Sequence, residues 1–539
     1  MASRALRRLW TRPWGQPRLT DRVWFAGAAV VLLMATGLDD ARAESVRTQE
    51  QTQTAQVGTH QVTPTAPDQP PLAPGGMIHR GESSIESTPL EDLLLEKGVI
   101  NTDDWIRIKA EQERQLNERS VVAEFTGSPR WYERITMFGY GMLRYNQVDN
   151  SLFRTYHDAS VGTTAGGAQP GFFFRRIRWV VTGQVSEHVA FLIQPDLASQ
   201  INVSQATNAG NTHVLSMRDA FGDYIFDRDK EFRLRAGLQR VPCSFDNWQA
   251  SRVRMAIDRA DATNSCAPSE RDMGVSFMWT PMIAQARFKQ MLDYGYGPGD
   301  YGVFHIQVDN SVGNNIAENN KNKRVSMRLA WPFELPGGRL MEAGMNAGTG
   351  TWNVAMGSAT AGTNNVQLYS VNSKQCVNAT AANFASLNCT ASRNYLDERV
   401  NFYVYLPPQP WGMIAEYTTG RAPKRNGQGV VEVSSFQGGY VQGHYQWKYS
   451  DVGLANFYTR YQEYHGGLKF QTGAPDDRMK ELEIGIAWQP DPQWEFTIAD
   501  EIVQRNSYLF AYNQGATTPG KQINMQANVV RFQLIWFWN

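Results

Sequence analysis

Arginine is the residue type whose spacing in this sequence most strongly indicates chemistry. Two pairs of arginines alternate with apolar or small residues in the segments GFFFRRIRWVVTG and FRLRAGLQ, and three more are among the four arginines of one polar stretch, residues 243–272. The seven are Arg176, Arg178, Arg233, Arg235, Arg252, Arg254 and Arg259. Because a guanidinium stays charged and binds carboxylates and phosphates, these residues predict a surface that attracts anions.

The sequence lacks the motifs of the common catalytic and metal sites. Its 8 histidines are scattered, and no HExxH, GxSxG, P-loop or dinucleotide-binding motif occurs. We therefore expect no enzyme activity, no cofactor and no metal site. The formal net charge is +0, which argues against nucleic acid as a partner.

The elements that carry these arginines are predicted to be β-strands. From about residue 130 onward, apolar residues recur with a period of two, as in FRLRAGLQ, KELEIGIAW and NVVRFQLIWFWN. No stretch after residue 120 has the pattern of a long helix. The mean hydropathy of −0.44 suits a soluble protein. It also suits a membrane β-barrel, in which the hydropathies of alternating lipid-facing and water-facing residues average out. The predicted fold class is all-β.

The predicted connections between strands fall into two length classes. Short ones, such as SEHV, DRDK, PPQPWG and QPDPQ, alternate with long polar ones. The long ones are expected at 148–171, 200–213, 243–272, 349–396, 421–436, 465–479 and 506–523. Short turns at one end and long loops at the other are typical of a transmembrane antiparallel β-barrel. We predict about 16 strands within residues 130–539.

In such a barrel one face of GFFFRRIRWVVTG meets lipid and the other faces a water-filled lumen. Arg176 and Arg178 would face the lumen. The lipid face would consist of Ile177, Trp179 and Val181. Arg175 falls on the lipid face of this pattern, where its long side chain could reach the headgroups. In a soluble β-sandwich the same arginines would face water, but a sandwich would not segregate its loops by length.

The first 120 residues predict export and a linker. Four arginines, an apolar run and the A-x-A of Ala41 and Ala43 indicate a signal peptide, residues 1–43; a single membrane anchor is the alternative. Residues 44–82, rich in Thr, Gln, Pro and Ala, predict a flexible linker. Residues 83–120 predict short helices that either pack against the main domain or mediate oligomerisation.

Four cysteines in an exported chain predict disulfides. They are Cys243, Cys266, Cys376 and Cys389, and three connectivities are open. Pairing of Cys243 with Cys266 and of Cys376 with Cys389 closes the shorter loops and places each bridge within one predicted loop. Each bridge would restrain that loop. The absence of a CxxC motif argues against a redox or zinc role.

Several segments, in their order along the chain, resemble the phosphate-selective porin O and P family of Gram-negative outer membranes. They are LLLEKGVINTDDW before the barrel, FFFRRIRWVVTGQV, FRLRAGLQRVPCSFDNWQASR, SERDMGVSF, VDNSVGNN and the closing VVRFQLIWFW. The resemblance covers most of the mature chain and implies a sixteen-stranded barrel with a constriction loop. It also implies a homotrimer in outer-membrane lipid that passes small anions such as phosphate. The final Asn539 departs from the aromatic last residue that is common in such barrels.

The charge balance leaves the selectivity open. Residues 243–272 combine the basic Arg252, Arg254, Arg259 and Arg271 with the acidic Asp246, Asp258, Asp261, Glu270 and Asp272. Cationic walls favour anions, whereas a nearly neutral loop does not. We expect passive diffusion of small hydrophilic solutes with a preference for anions. The alternatives are a general or cation-leaning porin, a structural or adhesive barrel with a filled lumen, and a secreted all-β carbohydrate-active enzyme.

Overall fold

The structure, a computed structural model, describes most of the predicted barrel. The described residues are 97, 134–149, 171–198, 216–263, 266–267, 270–314, 316–355, 368–370, 375–376, 389–390, 392–425, 431–449, 453–470, 474–509 and 521–538. Apart from Lys97, the predicted signal peptide (1–43), linker (44–82) and helical segment (83–120) lie outside these residues. Those three assignments stay predictions.

The described residues form nineteen strands. They are β1 (Ile135–Val148), β2 (Gly171–Ser186), β3 (Val189–Asp196), β4 (Ser216–Ile225), β5 (Phe232–Arg240), β6 (Arg271–Trp279), β7 (Phe304–Asp309), β8 (Arg324–Leu335), β9 (Arg339–Ala355), β10 (Leu368–Ser370), β11 (Gln375–Cys376), β12 (Cys389–Thr390), β13 (Ser392–Leu406), β14 (Trp411–Arg425), β15 (Val431–Tyr449), β16 (Gly453–Gly467), β17 (Asp476–Asp491), β18 (Trp494–Leu509) and β19 (Lys521–Trp538).

Sixteen of these strands close into one antiparallel barrel, which confirms the predicted fold class and strand number. Each barrel strand pairs with its neighbours in the chain, and β1 pairs with β19 to close the sheet. The closing register sets Gly139 opposite Trp538 and Val148 opposite Val529. The three short strands β10 to β12 form a separate small sheet within the long connection between β9 and β13.

The period of two separates an outer apolar face from an inner polar one, as predicted. On β17, Ile484, Ile486 and Trp488 are exposed on the outside, whereas Glu481 and Glu483 are buried in the barrel. Closure satisfies the backbone hydrogen bonds of every strand within the sheet, so the apolar outer face can lie in hydrocarbon. The same alternation turns Arg176 and Arg178 inward and leaves Trp179 exposed outside.

Most short turns lie at one end of the barrel, which we call the turn end, and most long loops lie at the other, the loop end. The exception is the long connection between β6 and β7, residues 280–303, at the turn end. At the loop end, the predicted long loop 421–436 is wrong. The connection between β14 and β15 is limited to residues 426–430, because both strands continue past the predicted boundaries 421–436. A further long connection, residues 310–323, joins β7 to β8.

Tryptophan side chains pack over glycines where β1 pairs with β19 and closes the barrel. A Cβ on Gly139 would lie 2.6 Å from the ring of Trp538, and one on Gly141 would lie 2.1 Å from the ring of Trp536. These glycines are therefore needed for the tryptophans to lie flat on β1. Trp494 continues the group, 6.5 Å from Trp536 between ring centroids. Such clustered aromatic rings are typical of the interface between hydrocarbon and water.

The described residues include two α-helices between strands: α1 (Phe245–Trp248) and α2 (Met282–Asp293). The prediction that no long helix follows residue 120 is wrong for α2, which has 12 residues and lies at the turn end. Its buried Ala284, Phe288 and Met291 have helical spacing and pack with Leu340. One narrow apolar stripe is a weak sequence signal, which explains the miss. In the described part of the chain, neither helix has the length and apolar character needed to cross a membrane.

Candidate functional site

Residues 241–270, which join β5 to β6, fold into the lumen, and we call them the constriction loop. The N–H of Phe245 donates to Glu416 on β14 (2.8 Å), and the N–H of Ala262 donates to Gln462 on β16 (3.1 Å). At Gly438 on β15 a Cβ would lie 2.1 Å from the carbonyl oxygen of Ala262. The loop therefore crosses the lumen and packs against the far wall.

The ends of the constriction loop are joined by a disulfide between Cys243 and Cys266, whose Cα atoms are 6.2 Å apart. The carbonyl oxygen of Cys266 accepts hydrogen bonds from Arg324 (2.7 Å) and Lys469 (3.1 Å). The bridge and these two cations fix the base of the loop to the wall. The pairing of Cys376 with Cys389 stays a prediction.

Replacing both Cys243 and Cys266 by serine should loosen the constriction loop without unfolding the barrel. The bridge closes a loop with a sequence separation of 23. Chain entropy for that length gives about 3 kcal/mol of stabilisation. We expect more frequent current fluctuations in single-channel recordings, and heat-modified gel migration like that of the unaltered protein. Recordings as quiet as those of the unaltered protein would show that the bridge does not restrain the loop.

The acidic tip of the constriction loop binds three arginines of the near wall. Asp258 lies 2.5 Å from Arg144 on β1, 3.5 Å from Arg175 on β2 and 3.8 Å from Arg531 on β19. The side chain of Asp258 is 27% exposed, so this cluster borders open space in the lumen. One carboxylate is thus shared by three guanidinium groups, although Arg531 also pairs with Glu501 (2.6 Å).

Arg175 is the residue for which the predicted direction is wrong. We expected it on the lipid face, but it pairs with Asp258 in the lumen. The register between β1 and β2 shifts at this point, where Met142 faces Arg176 and Leu143 faces Phe174. Arg175 is the extra residue of a β-bulge, which lets two consecutive side chains turn inward.

Four of the seven predicted arginines form ion pairs with neighbouring acids. The pairs are Arg178 with Asp196 (2.8 Å), Arg233 with Asp300 (2.7 Å), Arg235 with Asp223 (2.7 Å) and Arg259 with Glu270 (3.1 Å). An arginine held by a carboxylate contributes little net field to the lumen. Arg178, Arg233 and Arg235 are therefore weaker candidates for selectivity, whereas Arg259 shares Glu270 with Arg218 and Arg271.

The other three predicted arginines make no ion pair with an acid among the described residues, and we call them the acid-free arginines. Arg176 contacts the sulfur of Met142 (3.5 Å), and Arg254 donates to the carbonyl oxygens of Ala256 and Ile257 (both 3.1 Å). Arg252 lies over an aromatic ring of β1. Burial lowers the pKa of Arg252 and of Arg254 from the ordinary value. The strongest interactions of Arg176 with charged neighbours are repulsions from other arginines.

The model of one protein family, phosphate-selective porin O and P, matches residues 154–527. The chain belongs to this family. Its barrel and its family make it a porin of the outer membrane. No curated protein sequence is significantly similar to the chain.

The chain is also similar, at low sequence identity, to solved structures. One is OmpT of Vibrio cholerae, with 9% identity and a TM-score of 0.41 over 75% of this chain and 99% of that one. Another is OmpF of Salmonella typhi in complex with daunomycin, with 10% identity and a TM-score of 0.41 over 75% and 97%. A third is OprB of Pseudomonas putida, with 10% identity and a TM-score of 0.41 over 77% and 97%.

The far wall of this porin is acidic, a feature that the sequence analysis did not use. Glu483 and Glu481 on β17 pair with Arg460 (2.5 and 3.8 Å), and Glu501 lies inward on β18. The alternation in KELEIGIAW carried the signal, because it sets both glutamates of β17 opposite the lipid face. The lumen therefore has an arginine-rich wall and an acid-rich wall, with the constriction loop between them.

A second segment of the porin enters the lumen from the turn end. Residues 294–302, which follow α2 and which we call the lower segment, meet the constriction loop from below. The carbonyl oxygen of Tyr296 accepts from Gln249 (2.9 Å), and the rings of Trp248 and Tyr301 are 4.5 Å apart between centroids. Trp248 and Gln249 belong to the constriction loop and Tyr296 and Tyr301 to the lower segment, so the two segments stabilise each other and narrow the path.

Proposed function

We propose that this porin passes small hydrophilic solutes by diffusion and prefers anions, of which phosphate is one. The observation that carries the proposal is the group of acid-free arginines, Arg176, Arg252 and Arg254, at the constriction loop. A charge at the narrowest part of a pore attracts one sign of ion and repels the other. Two of these side chains come from the loop itself and one from the wall, and Arg254 is near enough to Arg176 for their charges to interact.

The decisive measurement is the reversal potential of the purified protein in a planar bilayer under a KCl gradient. We expect the reversal potential of the unaltered porin to lie toward the equilibrium potential of chloride. Joint replacement of the three acid-free arginines by glutamine should move it to zero or to the potassium side. Arg421→Gln is the matched control, because Arg421 loses the same charge but lies outside the barrel, 60% exposed and paired with Glu398.

The outcomes separate the remaining functions. A potential on the potassium side for the unaltered porin would favour a general or cation-leaning pore, in which the acids of the far wall dominate. No measurable conductance would favour a structural or adhesive barrel. The packing of the lower segment against the constriction loop supports that second candidate, since Trp248 and Tyr296 are both buried. The homotrimer is proposed here from the family resemblance.

A further inference from the structure

A cavity lies at the turn end of the porin, beside the C-terminal end of α2. Its volume is about 440 Å³, which is in the range of pockets that bind small organic molecules. The residues that line it belong to α2 and the start of the lower segment, to β8, β9 and the turn between them, and to the end of β15. The described residues that line it do not include any of the acid-free arginines, so the cavity is distinct from the constriction.

The part of the cavity formed by α2 is negative. Asp293, the last residue of α2, lines the cavity and makes no ion pair among the residues that the structure describes. Lys289, one turn earlier, acts on Asp293 from beyond ion-pair distance. The last turn of α2 has no basic residue, so the negative end of the helix dipole is not compensated. An ammonium group is therefore stabilised at this end of α2.

The opposite charge in the cavity comes from β15. Lys448 lies near the turn end of β15, on the inward face that it shares with His444 and Gln446, and it lines the same cavity. Within the described part of the chain it makes no ion pair with an acid. Strands β13 and β14 separate β15 from β9, so Lys448 and Asp293 reach the cavity from different elements. A carboxylate is stabilised beside Lys448.

The cavity also has an apolar lining. Leu340 is buried and packs with Phe288 and Met291 of α2, and Tyr294 packs against the same cluster. Both Leu340 and Tyr294 line the cavity. The remaining acid, Glu334, already pairs with Arg287 (3.3 Å). The cavity thus combines one anionic group, one cationic group and an apolar surface that includes an aromatic ring.

We propose that this cavity binds small zwitterions with an apolar side chain, the class of amino acids and dipeptides. The ammonium group of the ligand lies at Asp293 and the C-terminal end of α2, and its carboxylate lies at Lys448. The apolar side chain lies against Tyr294 and Leu340. A solute with a single charge meets one of the two charged partners and leaves the other without a counter-charge.

The test is a ligand-observed NMR titration of the purified porin in detergent with glycyl-leucine, its N-acetylated form and its C-terminal amide. The zwitterion should bind about fivefold more tightly than either capped form, because each cap removes one solvent-accessible ion pair. Glycylglycine keeps both charges and should bind several-fold more weakly, because it lacks the side chain that is partly buried. Equal dissociation constants for the capped and uncapped dipeptides, or no saturable binding, would overturn the inference.

Two variants assign the charges. Asp293→Asn should weaken binding of glycyl-leucine and its amide about fivefold and leave the N-acetylated form unchanged. Lys448→Met should weaken binding of glycyl-leucine and the N-acetylated form and leave the amide unchanged. Asp491→Asn, at the turn-end terminus of β17, is the matched control and should change none of the three. Equal weakening of all three ligands by either variant would contradict the assignment.

This binding measurement and the reversal potential test different claims. Binding at equilibrium requires no current, and the residues concerned lie outside the constriction loop. A reversal potential on the potassium side would refute the proposed anion preference and leave dipeptide binding untouched. Absence of dipeptide binding with a retained chloride preference would refute only this inference.

Discussion

Asp258→Asn should shift the reversal potential of this porin strongly toward chloride, with a severalfold rise in the permeability ratio of chloride to potassium. Asp258 is the acid that Arg144, Arg175 and Arg531 share, and its side chain borders open space. The substitution removes one negative charge and keeps the shape of the side chain and an oxygen that accepts from Arg144. Arg144 and Arg175 then have no acidic partner among the described residues, whereas Arg531 keeps Glu501, so the near wall gains net positive charge.

Asp261→Asn is the matched control for this substitution. Asp261 lies in the same loop and is more exposed, but it pairs with one arginine, Arg505, which keeps a second acid in Asp477 (3.3 Å). We expect a clearly smaller shift. Equal shifts for the two variants would mean that any charge in the loop acts alike, and that the cluster around Asp258 has no special part in selectivity.

Acidification should not reproduce the effect of Asp258→Asn. Burial by itself raises the pKa of Asp258, but Arg144, Arg175 and Arg531 outweigh it and hold the pKa well below the ordinary value. A carboxyl with a depressed pKa stays ionised until the pH falls below that value. Protonation of Asp258 should therefore change the reversal potential of the unaltered porin little down to about pH 5. Loss at that pH of the difference between the unaltered porin and Asp258→Asn would contradict the cluster, whereas a shift common to both would come from other acids of the lumen, such as Glu481 and Glu501.

The sequence predicted the barrel and the inward direction of most arginines, because both follow from a period of two. It could not predict which arginines are neutralised. Arg144 lies 114 positions from Asp258, and their meeting depends on how the constriction loop crosses the lumen. Arg175 was predicted outward because a bulge breaks the alternation at one residue, and nothing in GFFFRRIRWVVTG marks the bulge. The inward or outward direction of a side chain follows from the local strand pattern, whereas ion pairing of an arginine with an acid depends on tertiary packing.

The lower segment was not predicted, for a related reason. Its residues follow α2 in the connection between β6 and β7, at the turn end of the barrel, where no long loop was predicted. The run YGYGPGDYG, with its glycines and proline, reads as an exposed turn. In the folded porin Tyr296 is buried. The residues that cover it belong to the barrel and the constriction loop, which are distant in the sequence, so the local sequence does not predict its burial.

Tyr296→Ala should raise the single-channel conductance roughly twofold, because the ring occupies part of the cross-section available to ions. The hydroxyl of Tyr296 accepts from Asn456 on the far wall (2.6 Å), and its ring packs with Met255 and Ile257 of the constriction loop. Without the ring, the lower segment loses its contact with that wall, and a gap opens under the loop. Single-channel recordings in symmetric KCl measure the change.

Two further variants decide what the ring does. Tyr296→Phe keeps the ring and removes the hydroxyl, so its conductance should stay near that of the unaltered porin if the ring itself obstructs the path. Tyr445→Ala removes the same side chain from the outer face, where it packs on Trp411 (4.3 Å), and should leave conductance unchanged. An unaltered conductance in Tyr296→Ala would place the ion path away from the lower segment. Conductance would then be limited along the arginine-rich wall, where the acid-free arginines and Asp258 alone set both the size and the sign of the current.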